Sequence, residues 1–425
     1  MILDVQLTNF KSFKKATVPL GPLTLIVGAN GSGKSNFFDA LRFLSFIGNG
    51  VPIRDAIEGH ISAVPSPTTV SGIRGGQKEI VNLGVATDTR IFEMRARMRV
   101  NSETVTYFIA VDAANYRVVA EELKSSAHPG PYVYSTRPEV GALESDPDSP
   151  SIAARYYKET RGLNPKTTFS PHEALLSQFV GRKAASNLNE EVANQVRTEL
   201  QAVRPLELRP ETLREYSRLG NFEIGEHGEN FAAAAWLLQA MASGPSQDKE
   251  SQAQSEVIKG WLSELTPHKI ADYMALASPT EDVIFALSED NYRDEISARS
   301  LSDGTLRFAA FAFIVFGARG RRTLAIEEFE NGINPARLSL LMRMFEEATR
   351  SEPALQVIAT THSPGILNWM SSDTLRDAVA IGWDQSAICS HVVRLRDLKG
   401  VEEALKTASI GDLQSEGWIQ FAADL

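Results

Sequence analysis

A glycine-rich loop follows an apolar run near the N-terminus, in the stretch LTLIVGANGSGKSN at residues 23–36. Its spacing fits G-x-x-x-x-G-K-[ST], a pattern whose glycines let the backbone curl so that its amides point inward around phosphates. In this pattern the Lys34 ammonium reaches the β- and γ-phosphates, and the Ser35 hydroxyl ligates Mg²⁺. The sequence therefore predicts a phosphate and Mg²⁺ site formed by Asn30, Gly31, Ser32, Gly33, Lys34, Ser35 and Asn36.

Two apolar runs in the last third of the chain end in polar residues that suit hydrolysis. The run in RTLAIEEFENGINP ends at Glu327 and Glu328, and the run in ATTHSPG ends at His362. Ligands sit beyond the carboxyl ends of strands in open α/β sheets. Glu327 is therefore a candidate for holding Mg²⁺ through water, Glu328 for the general base, and His362 for contact with a γ-phosphate. A solvated turn remains the alternative explanation for the two glutamates.

A third polar segment, LSDGT at residues 301–305, precedes a long apolar helix. Ser302 and Gly304 therefore lie at the positive N-terminus of that helix, where an anion is stabilised. A helix cap formed by Ser302 or Asp303 would leave the same pattern. The position of the segment, upstream of both the acidic run and His362, favours an anion site over a simple cap.

The elements that must position these residues alternate between strand and helix. Residues 2–7 and 23–27 have the apolar patterns of strands, and residues 79–124 alternate as antiparallel strands do. Residues 125–170 are rich in Pro, Ser, Gly and Thr and predict a long surface loop. Residues 171–275 predict helices, and the last third returns to alternating strand and helix. The sequence therefore predicts an α/β fold.

Composition narrows the class of protein. With 43% hydrophobic and 23% charged residues, the 425-residue chain is typical of globular proteins and long enough for two or three domains. No apolar run reaches 18 residues, and the N-terminus lacks the pattern of a signal peptide, so we expect no membrane segment and a cytoplasmic location. A single cysteine, Cys389, excludes an internal disulfide and a cysteine-based zinc site. The net charge of −10 argues against a whole surface devoted to polyanions.

The order of these motifs resembles the ABC-type ATPase head shared by SMC and RecF proteins. A closer resemblance is to the AAA-type ATPases of the overcoming-lysogenization-defect class, through LTNFKSF, GPLTLIVGANGSGKSNFFDALRFL, GIRGGQKEI, EEFENGINP and THSP. It implies a P-loop ABC-type head with a mixed sheet, an antiparallel β-subdomain and an inserted helical lobe. The implied domains are an N-terminal ATPase lobe at 1–170, a helical lobe at 171–280 and a C-terminal ATPase lobe at 281–425.

The resemblance also implies a head-to-head dimer that binds ATP and Mg²⁺, in which the signature of one subunit completes the site of the other. Carried over position by position, the implied roles are γ-phosphate contact in trans for Ser302, Asp303 and Gly304, the Mg²⁺-side acid for Glu327, the catalytic base for Glu328, the switch histidine for His362, and the loop crossing the interface for residues 332–335.

One further position and two departures follow from the same comparison. This class has a glutamine where the strand lobe joins the helical lobe, and Gln178 is our choice over Gln77. Glu327 stands where ABC ATPases usually carry aspartate, and Asn334 stands where this class often has histidine. Neither departure removes a catalytic group, so ATP hydrolysis remains the expectation.

Three functions fit these observations to different degrees. The first is an ATPase that acts as sensor or motor for a separate effector, a nuclease in particular, in antiphage defence. It is favoured by the absence of coiled-coil arms and by the short chain after His362, which leaves little room for a Toprim nuclease domain. The second is a RecF-like ATPase of DNA metabolism. The third, a small-molecule phosphotransferase, is disfavoured by LSDGT. The expected partners are a second or further copy of the chain, an effector and DNA.

Overall fold

Two compact units make up the chain, and each is described by itself. Unit 1 comprises Met1–Arg204 and Leu375–Leu425, and unit 2 comprises Pro205–Thr374. This division follows packing, whereas the three-domain division of the sequence follows motif and composition and stays a prediction. The computed structural model describes residues 1–62, 68–84, 90–138, 149–158, 162–179, 187–244, 248–265, 270–278, 282–290, 294–318, 320, 322–351, 355–398, 410–415 and 417.

The described chain contains both strands and helices. The strands are β1 (Ile2–Phe10), β2 (Phe13–Pro19), β3 (Leu23–Val27), β4 (His60–Ser62), β5 (Thr68–Val70), β6 (Ile91–Val100), β7 (Glu103–Asp112), β8 (Arg117–Ser125), β9 (Tyr134–Ser135), β10 (Ile152–Tyr156), β11 (Lys166–Phe169), β12 (Val203–Leu206), β13 (Ser217–Arg218), β14 (Ile270–Ala277), β15 (Asp282–Glu289), β16 (Ile296–Ser297), β17 (Arg322–Ile326), β18 (Leu355–Thr360), β19 (Val379–Asp384) and β20 (Cys389–Arg394). The helices are α1 (Lys34–Asn49), α2 (Ile53–Glu58), α3 (Gly76–Glu79), α4 (Leu175–Phe179), α5 (Asn187–Gln201), α6 (Pro210–Leu213), α7 (Phe231–Ser243), α8 (Lys249–Ser263), α9 (Asp303–Phe316), α10 (Pro335–Arg350), α11 (Ser372–Asp377) and α12 (Ile410–Ser415).

Unit 1 contains an eight-stranded antiparallel sheet in the order β11-β10-β9-β8-β7-β6-β1-β2. On β6 every second side chain is buried, among them Phe92, Met94 and Ala96, while Arg95 and Arg97 point outward. This period of two is what a sheet with one solvated face requires. The antiparallel β-subdomain expected from residues 79–124 is therefore present.

The same sheet corrects the prediction of a long surface loop over residues 125–170. Strands β9, β10 and β11 lie within that segment and extend the sheet, and Tyr132, Val133 and Tyr134 are buried beneath it. These strands have two, five and four residues. Such short strands leave too few alternating positions to stand out among Pro, Ser and Gly, so composition alone indicated a loop.

A second group of strands in unit 1 carries the glycine loop. All five residues of β3 are buried, β3 pairs in parallel with β19, and β19 pairs antiparallel with β20. The loop leaves the carboxyl end of β3 and enters α1, whose buried face includes Phe37, Leu41 and Leu44. This strand–loop–helix unit agrees with the prediction and, with the antiparallel subdomain, confirms the expected α/β fold.

Unit 2 combines the parallel pair β17–β18 with helices and a small antiparallel sheet. That sheet has the order β13-β15-β14, with β16 paired to β15. Phe313 on α9 packs at ring-centroid distances of 5.6 Å from Phe231 on α7 and 5.9 Å from Phe285 on β15. Strands β12, β13 and β14 correct the prediction that residues 171–275 are helical in character. They were missed because IADYMALA in β14 lacks the strict alternation that marks a half-buried strand, and because β12 and β13 have only four and two residues. Within the described segments no helix has both the length and the apolar character to span a bilayer.

Candidate functional site

The glycine loop of unit 1 is built against two serines from distant parts of the sequence. Gly33 adopts φ 110°, and a Cβ there would lie 2.3 Å from Ser390 Oγ and 2.6 Å from Ser12 Oγ. Only glycine has both the backbone freedom and the lack of a side chain that this position demands. The loop is therefore held in a curled form against Ser12 and Ser390.

The predicted phosphate-binding residues differ in their exposure to solvent. Asn30, Gly31 and Ser35 are exposed, whereas Ser32 is buried and its hydroxyl makes no hydrogen bond within the described residues. Lys34 is only 6% exposed, and its ammonium donates to the carbonyl oxygens of the loop at 2.8 and 2.9 Å. The lysine is thus folded back onto its own loop, and the rim of the loop is open to a ligand.

A cluster of polar side chains at the loop joins the turn between β1 and β2 to α1 and β20. Ser390 Oγ donates to the carbonyl oxygen of Ser32 at 2.5 Å and lies 2.7 Å from Ser12 Oγ, whose hydroxyl is free to donate to it, and Asn36 Nδ2 donates to Ser12 Oγ at 2.8 Å. Asn36 was predicted from the motif, whereas Ser12 and Ser390 were not. No local signal points to Ser390, because its partners come from the other end of the sequence.

We expect Ser390→Ala to weaken binding of Mg-ATP by about two- to tenfold, since a hydrogen bond of this kind contributes about 0.5–1.5 kcal/mol. The loop would lose one of the contacts that hold its curled form, so more of the binding energy would be spent ordering it. Isothermal calorimetry measures the change. Ser386→Ala is the matched control, because Ser386 lies in the exposed turn between β19 and β20 and, among the residues that the structure describes, bonds only to Asp384. Equal losses in the two variants would contradict the expectation.

A second cluster in unit 1 ties α1 to the segment GIRGG. Asp39 on α1 accepts hydrogen bonds from Lys11 Nζ at 2.5 Å and from Arg74 Nε at 3.0 Å, and Arg74 also donates to the carbonyl oxygen of Ser35 at 2.6 Å. Asp39 is buried, so its charge needs these partners. The stretch GIRGGQKEI carries part of the resemblance, but the sequence alone indicates no role for Arg74.

Both candidate glutamines bond to nearby backbone. Gln178 Nε2 donates to the carbonyl oxygens of Ser170 and Glu173 at 2.9 and 3.0 Å. Gln77 Nε2 donates to the carbonyl oxygens of Ala113 and Ala114 at 3.0 and 2.9 Å. These contacts fix both amides without marking either as a nucleotide ligand, so the choice of Gln178 stays a prediction.

A buried carboxylate anchors the helix that carries Gln178. Glu121 on β8 accepts from the backbone amides of Leu175 and Leu176 at 2.7 Å each and from the Tyr134 hydroxyl at 2.7 Å. Burial raises the pKa of Glu121 to about 7, and these donors offset part of that rise. The first turn of α4 is thereby fastened to the antiparallel sheet.

A cavity of about 260 Å³ opens beside the cluster of polar side chains at the loop in unit 1. Ser12 and Asn36 form part of its wall, so the cavity adjoins the start of α1. Its apolar lining comes from Val81, Leu83, Trp383 and Ile388, and its polar lining includes Lys11 and Asn82. A flat ring with a polar edge would suit such a lining.

In unit 2 the acidic run and the histidine come together at the ends of parallel strands. Glu328 Oε1 lies 3.2 Å from His362 Nε2, and Asn331 Nδ2 donates to Glu328 Oε2 at 2.5 Å. The Glu328 backbone has φ 47°, and its amide donates to Thr360 Oγ1 at 2.9 Å. A non-glycine residue in this strained region points to a constrained side-chain direction. Both carboxylate oxygens of the predicted base are therefore engaged. Glu327, next in sequence, is half-buried, and its amide donates to the carbonyl oxygen of Leu206.

The segment LSDGT forms the N-terminus of α9, as predicted. Ser302 is the N-cap, and its hydroxyl accepts from the Thr305 amide at 3.2 Å. The capping role that the sequence left open is therefore real, although Ser302 and Asp303 also remain exposed at the helix end. Asp303 pairs with Arg214 at 2.5 Å. A Cβ at Gly304 would lie 2.7 Å from the carbonyl oxygen of Gly332, so this glycine permits close packing on the next loop.

Arg307 links this helix to the turn that holds the predicted base. Its guanidinium donates to the carbonyl oxygen of Asn331 at 2.7 Å, one turn along α9 from Asp303. Burial lowers the pKa of Arg307, while the charges of Asp303 and Glu328 act in the opposite direction. Asn334, which stands in place of the expected histidine, caps α10 through its side-chain oxygen and the Ala336 amide at 2.9 Å.

The oxygen donors of the predicted metal residues, Ser35 and Glu327, are of the hard type that suits Mg²⁺. Glu207, Glu226 and His227 also offer metal-ligating atoms, which lie within 4.8 Å of one another. Glu207 already pairs with Arg209 at 2.9 Å. That group is not among the predicted site residues.

Comparison with known proteins gives matches over most of the chain. A family described as "AAA domain, putative AbiEii toxin, Type IV TA system" matches residues 117–368, which is more than half of the chain, and a family described as "AAA domain" matches residues 4–108. The DNA replication and repair protein RecF of Caulobacter sp. (strain K31) is 33% identical over 115 residues, covering 24% of this chain. The aligned part is only 29% of that RecF protein.

Two solved structures are similar over nearly their whole length. The SMC head bound to the C-terminal winged-helix domain of ScpA is 14% identical at a TM-score of 0.49, with 92% of this chain and 97% of that chain covered. The SMC head domain from Thermotoga maritima is 11% identical at a TM-score of 0.43, with 92% and 98% covered.

The first of the two family matches, over residues 117–368, contains two of the three predicted motifs. It begins in the antiparallel sheet, runs through LSDGT and the acidic run, and ends just after His362, while the second match contains the glycine loop. The resemblance to an ABC-type ATPase head of the SMC and RecF kind is confirmed. The chain belongs to the AAA-domain family described as "putative AbiEii toxin, Type IV TA system".

Proposed function

We propose that this chain is an ATPase that binds and hydrolyses Mg-ATP at a head-to-head dimer interface. The observation that carries the proposal is the Glu328 carboxylate, which follows a buried parallel strand and is held between His362 and Asn331. A carboxylate so placed in a family of AAA ATPases suits a general base. The curled glycine loop supplies the complementary chemistry of phosphate binding.

The proposed reaction assigns each group one task. The loop amides, Lys34 and Ser35 bind the phosphates, with Lys34 exchanging the carbonyl oxygens it now contacts for phosphate oxygens. Glu328 takes a proton from the attacking water while the water oxygen bonds to the γ-phosphorus. The bond between the γ-phosphorus and the β-phosphate oxygen breaks, which releases ADP and phosphate. Ser35 and Glu327 would hold Mg²⁺, which would supply positive charge that neutralises the phosphates. Ser302, Asp303 and Gly304 of the second copy contact the γ-phosphate.

The direct test is phosphate release by the purified protein with Mg-ATP, measured beside calorimetric binding of Mg-ATP. We expect binding and turnover in the wild type, and neither in Lys34→Ala, which removes the cation that the phosphates need. A protein that binds Mg-ATP without hydrolysing it would contradict the ATPase proposal alone. Failure to bind would contradict the nucleotide site as well.

The cavity beside α1 is our candidate for the base of the nucleotide. Its apolar residues Leu83 and Ile388 suit a stacked ring, and Asn82 suits the polar edge of that ring. Its wall shares Ser12 and Asn36 with the cluster of polar side chains at the loop. A nucleotide whose phosphates lie in the loop would therefore have a site for its base in the same unit.

Leu83→Ser should lower the affinity for ATP about three- to tenfold, because it removes most of an apolar contact with the base. Leu83 is 78% exposed, so the change should not disturb folding. Inorganic tripolyphosphate, which has no base, should bind both proteins equally. Leu163→Ser is the control, since Leu163 is 65% exposed in the same unit and does not line the cavity. An equal loss for tripolyphosphate would contradict this assignment of the cavity.

The output of the ATPase, in this proposal, lies in a separate effector protein, a nuclease, that serves antiphage defence. The family description names a putative toxin of a type IV TA system, which supports a role in such a system without naming a separate effector. Cells that carry this gene with and without its neighbouring genes, challenged with phage, provide the test. Protection that needs no second gene would contradict a separate effector.

A RecF-like role in DNA metabolism is the second candidate, favoured by the partial match to RecF. Arg95, Arg97 and Arg99 lie along the outward face of β6, where Arg97 pairs with Asp4. Fluorescence anisotropy with duplex DNA at two salt concentrations separates the candidates. Tight binding that falls steeply with salt supports the DNA role, because it reports phosphate contacts. Absence of binding supports the effector role.

A further inference from the structure

Glu330, a second carboxylate in the acidic turn, accepts hydrogen bonds from the segment that carries the predicted switch histidine, His362. Its Oε1 accepts three hydrogen bonds: from Thr361 Oγ1 at 2.9 Å, from the His362 amide at 2.5 Å and from the Ser363 amide at 3.1 Å. Hydrogen bonds to a charged acceptor are about twice as strong as neutral ones. The turn that leaves β18 is therefore fastened to the turn that leaves β17.

The hydrogen bonds that the Glu330 carboxylate makes in the described part of the chain all use one of its two oxygens, Oε1, and all go to the turn that carries His362. Glu330 Oε2 is buried and has no hydrogen-bond partner within the described residues. Between the two carboxylates, Phe329 is buried and packs on Phe345 with ring centroids 5.7 Å apart. That packing fixes the backbone from which Glu328 and Glu330 project. Every hydrogen bond found for the Glu330 carboxylate thus goes to the segment that carries His362.

We propose that Glu330 is a positioning residue that holds the His362 ring against Glu328. The inference rests on the proposed roles of Glu328 as base and His362 as switch. Fixing the His362 amide fixes where its side chain starts, and Nε2 then lies 3.2 Å from Glu328 Oε1. Without Glu330 the turn is free to shift, and the histidine loses its place beside the base and the γ-phosphate. A displacement of about 1 Å in a catalytic group can cost roughly 100-fold in rate.

Unit 2 contains a matched carboxylate that serves only as an anchor. Glu346 Oε1 on α10 accepts from the Ser371 amide and from Thr374 Oγ1, both at 2.8 Å. It fastens a turn by the same chemistry, but none of the predicted catalytic residues lies in that turn. Glu346→Ala therefore removes a comparable anchor and should lower the melting temperature while leaving kcat unchanged.

The kinetic test is a double-mutant cycle with kcat and KM for ATP as readouts. Glu330→Ala should lower kcat by roughly 10- to 100-fold with KM within about threefold, since the ATP-binding loop is not involved. In a His362→Ala background the same change should cost nothing further, because its effect passes through the histidine. Glu330→Gln, which retains an acceptor oxygen, should recover most of the rate. An equal loss in the His362→Ala background would overturn the proposal, as would a similar loss in Glu346→Ala.

Two further measurements keep the inference testable if Glu330→Ala folds poorly or if the protein does not hydrolyse ATP. Thr361→Val removes one of the three donors and should give a smaller loss in kcat of the same kind. In protein labelled with ¹⁵N-histidine, the His362 ring signal, assigned by its loss in His362→Gln, should move in Thr361→Val and stay in Glu346→Ala. A moved signal without ATP turnover would uphold the positioning and contradict the proposed function. An unmoved signal would overturn the positioning itself.

Discussion

Replacing Glu328 with glutamine should slow ATP hydrolysis by roughly 10²–10⁴-fold while leaving Mg-ATP binding intact. Glutamine keeps the size of the side chain and an oxygen that can accept from Asn331, which donates to Glu328 at 2.5 Å. It cannot take the proton of the attacking water, so the loss falls on the chemical step. Phosphate release and calorimetry on the same samples separate turnover from binding.

The same variant should accumulate as an ATP-bound dimer. Hydrolysis is what separates the heads in the proposed cycle, so blocking it holds the assembled state. Light scattering with and without Mg-ATP measures the molar mass directly. Glu347→Gln is the control, since Glu347 is an exposed carboxylate on α10 of the same unit. Normal hydrolysis in Glu328→Gln would contradict the role of Glu328, whereas slow hydrolysis without ATP-dependent association would contradict the head-dimer mechanism. If the protein is a constitutive oligomer, the kinetics decide alone.

The state of Glu328 in the structure adds a reason to expect a large effect. Its carboxylate is shared between His362 and Asn331, and its backbone is held at φ 47° by the bond from its amide to Thr360. Strain of this kind persists only where the surroundings impose it, and it concentrates at active sites. The turn is therefore built around the direction of one side chain.

The sequence was sufficient for those features that depend on local pattern. Gly33 and Lys34 follow a wholly buried strand, and the acidic run and His362 end two further buried strands. Apolar runs bounded by glycine or polar residues have few other interpretations. The loop, the acidic turn and the N-terminus of α9 were all predictable in kind for that reason.

The contacts that complete these features come from residues far apart in the chain. Ser390 and Ser12 are separated by 378 positions. Ser12 lies in LTNFKSF, which carried part of the resemblance but gave this serine no role, and Ser390 lies in none of the quoted motifs. Glu330 looks like a third acid in a solvated turn until its three bonds to the His362 turn are seen. Tertiary neighbours of this kind leave no periodicity in the sequence. The short strands β9 to β11 were missed for a related reason, because pairing and not composition decides whether such segments extend a sheet.

Mixing two inactive variants should restore ATP hydrolysis if the α9 signature acts on the nucleotide of the other subunit. Lys34→Ala disables the phosphate loop and Ser302→Asp disables the signature. Aspartate caps a helix as well as serine does, so α9 should stay folded, but it sets a negative charge where the γ-phosphate must approach. Each variant alone should therefore fold and show almost no turnover.

In an equimolar mixture that exchanges freely, about half of the dimers carry one of each variant. Each such dimer pairs the intact loop of one subunit with the intact signature of the other and so has one working site of two. The mixture should then reach about a quarter of wild-type activity, provided the two sites act independently. A signature that served the nucleotide of its own subunit would give no recovery, because each chain would carry one broken part of its own site.

A second mixture is the control for recovery of ATP hydrolysis that does not depend on the signature of the other subunit. Lys34→Ala with Glu328→Gln should stay inactive, since the loop and the base are proposed to serve the same nucleotide in one subunit. Recovery in that pair would contradict the assignment of Lys34 and Glu328 to one site. The exposed Ser302 and Asp303 at the start of α9 favour recovery in the first pair, because a surface helix end is accessible to a second copy. Arg307 and Asn331 then connect that contact to Glu328 of the same chain, which gives each subunit a path from its partner's nucleotide to its own base.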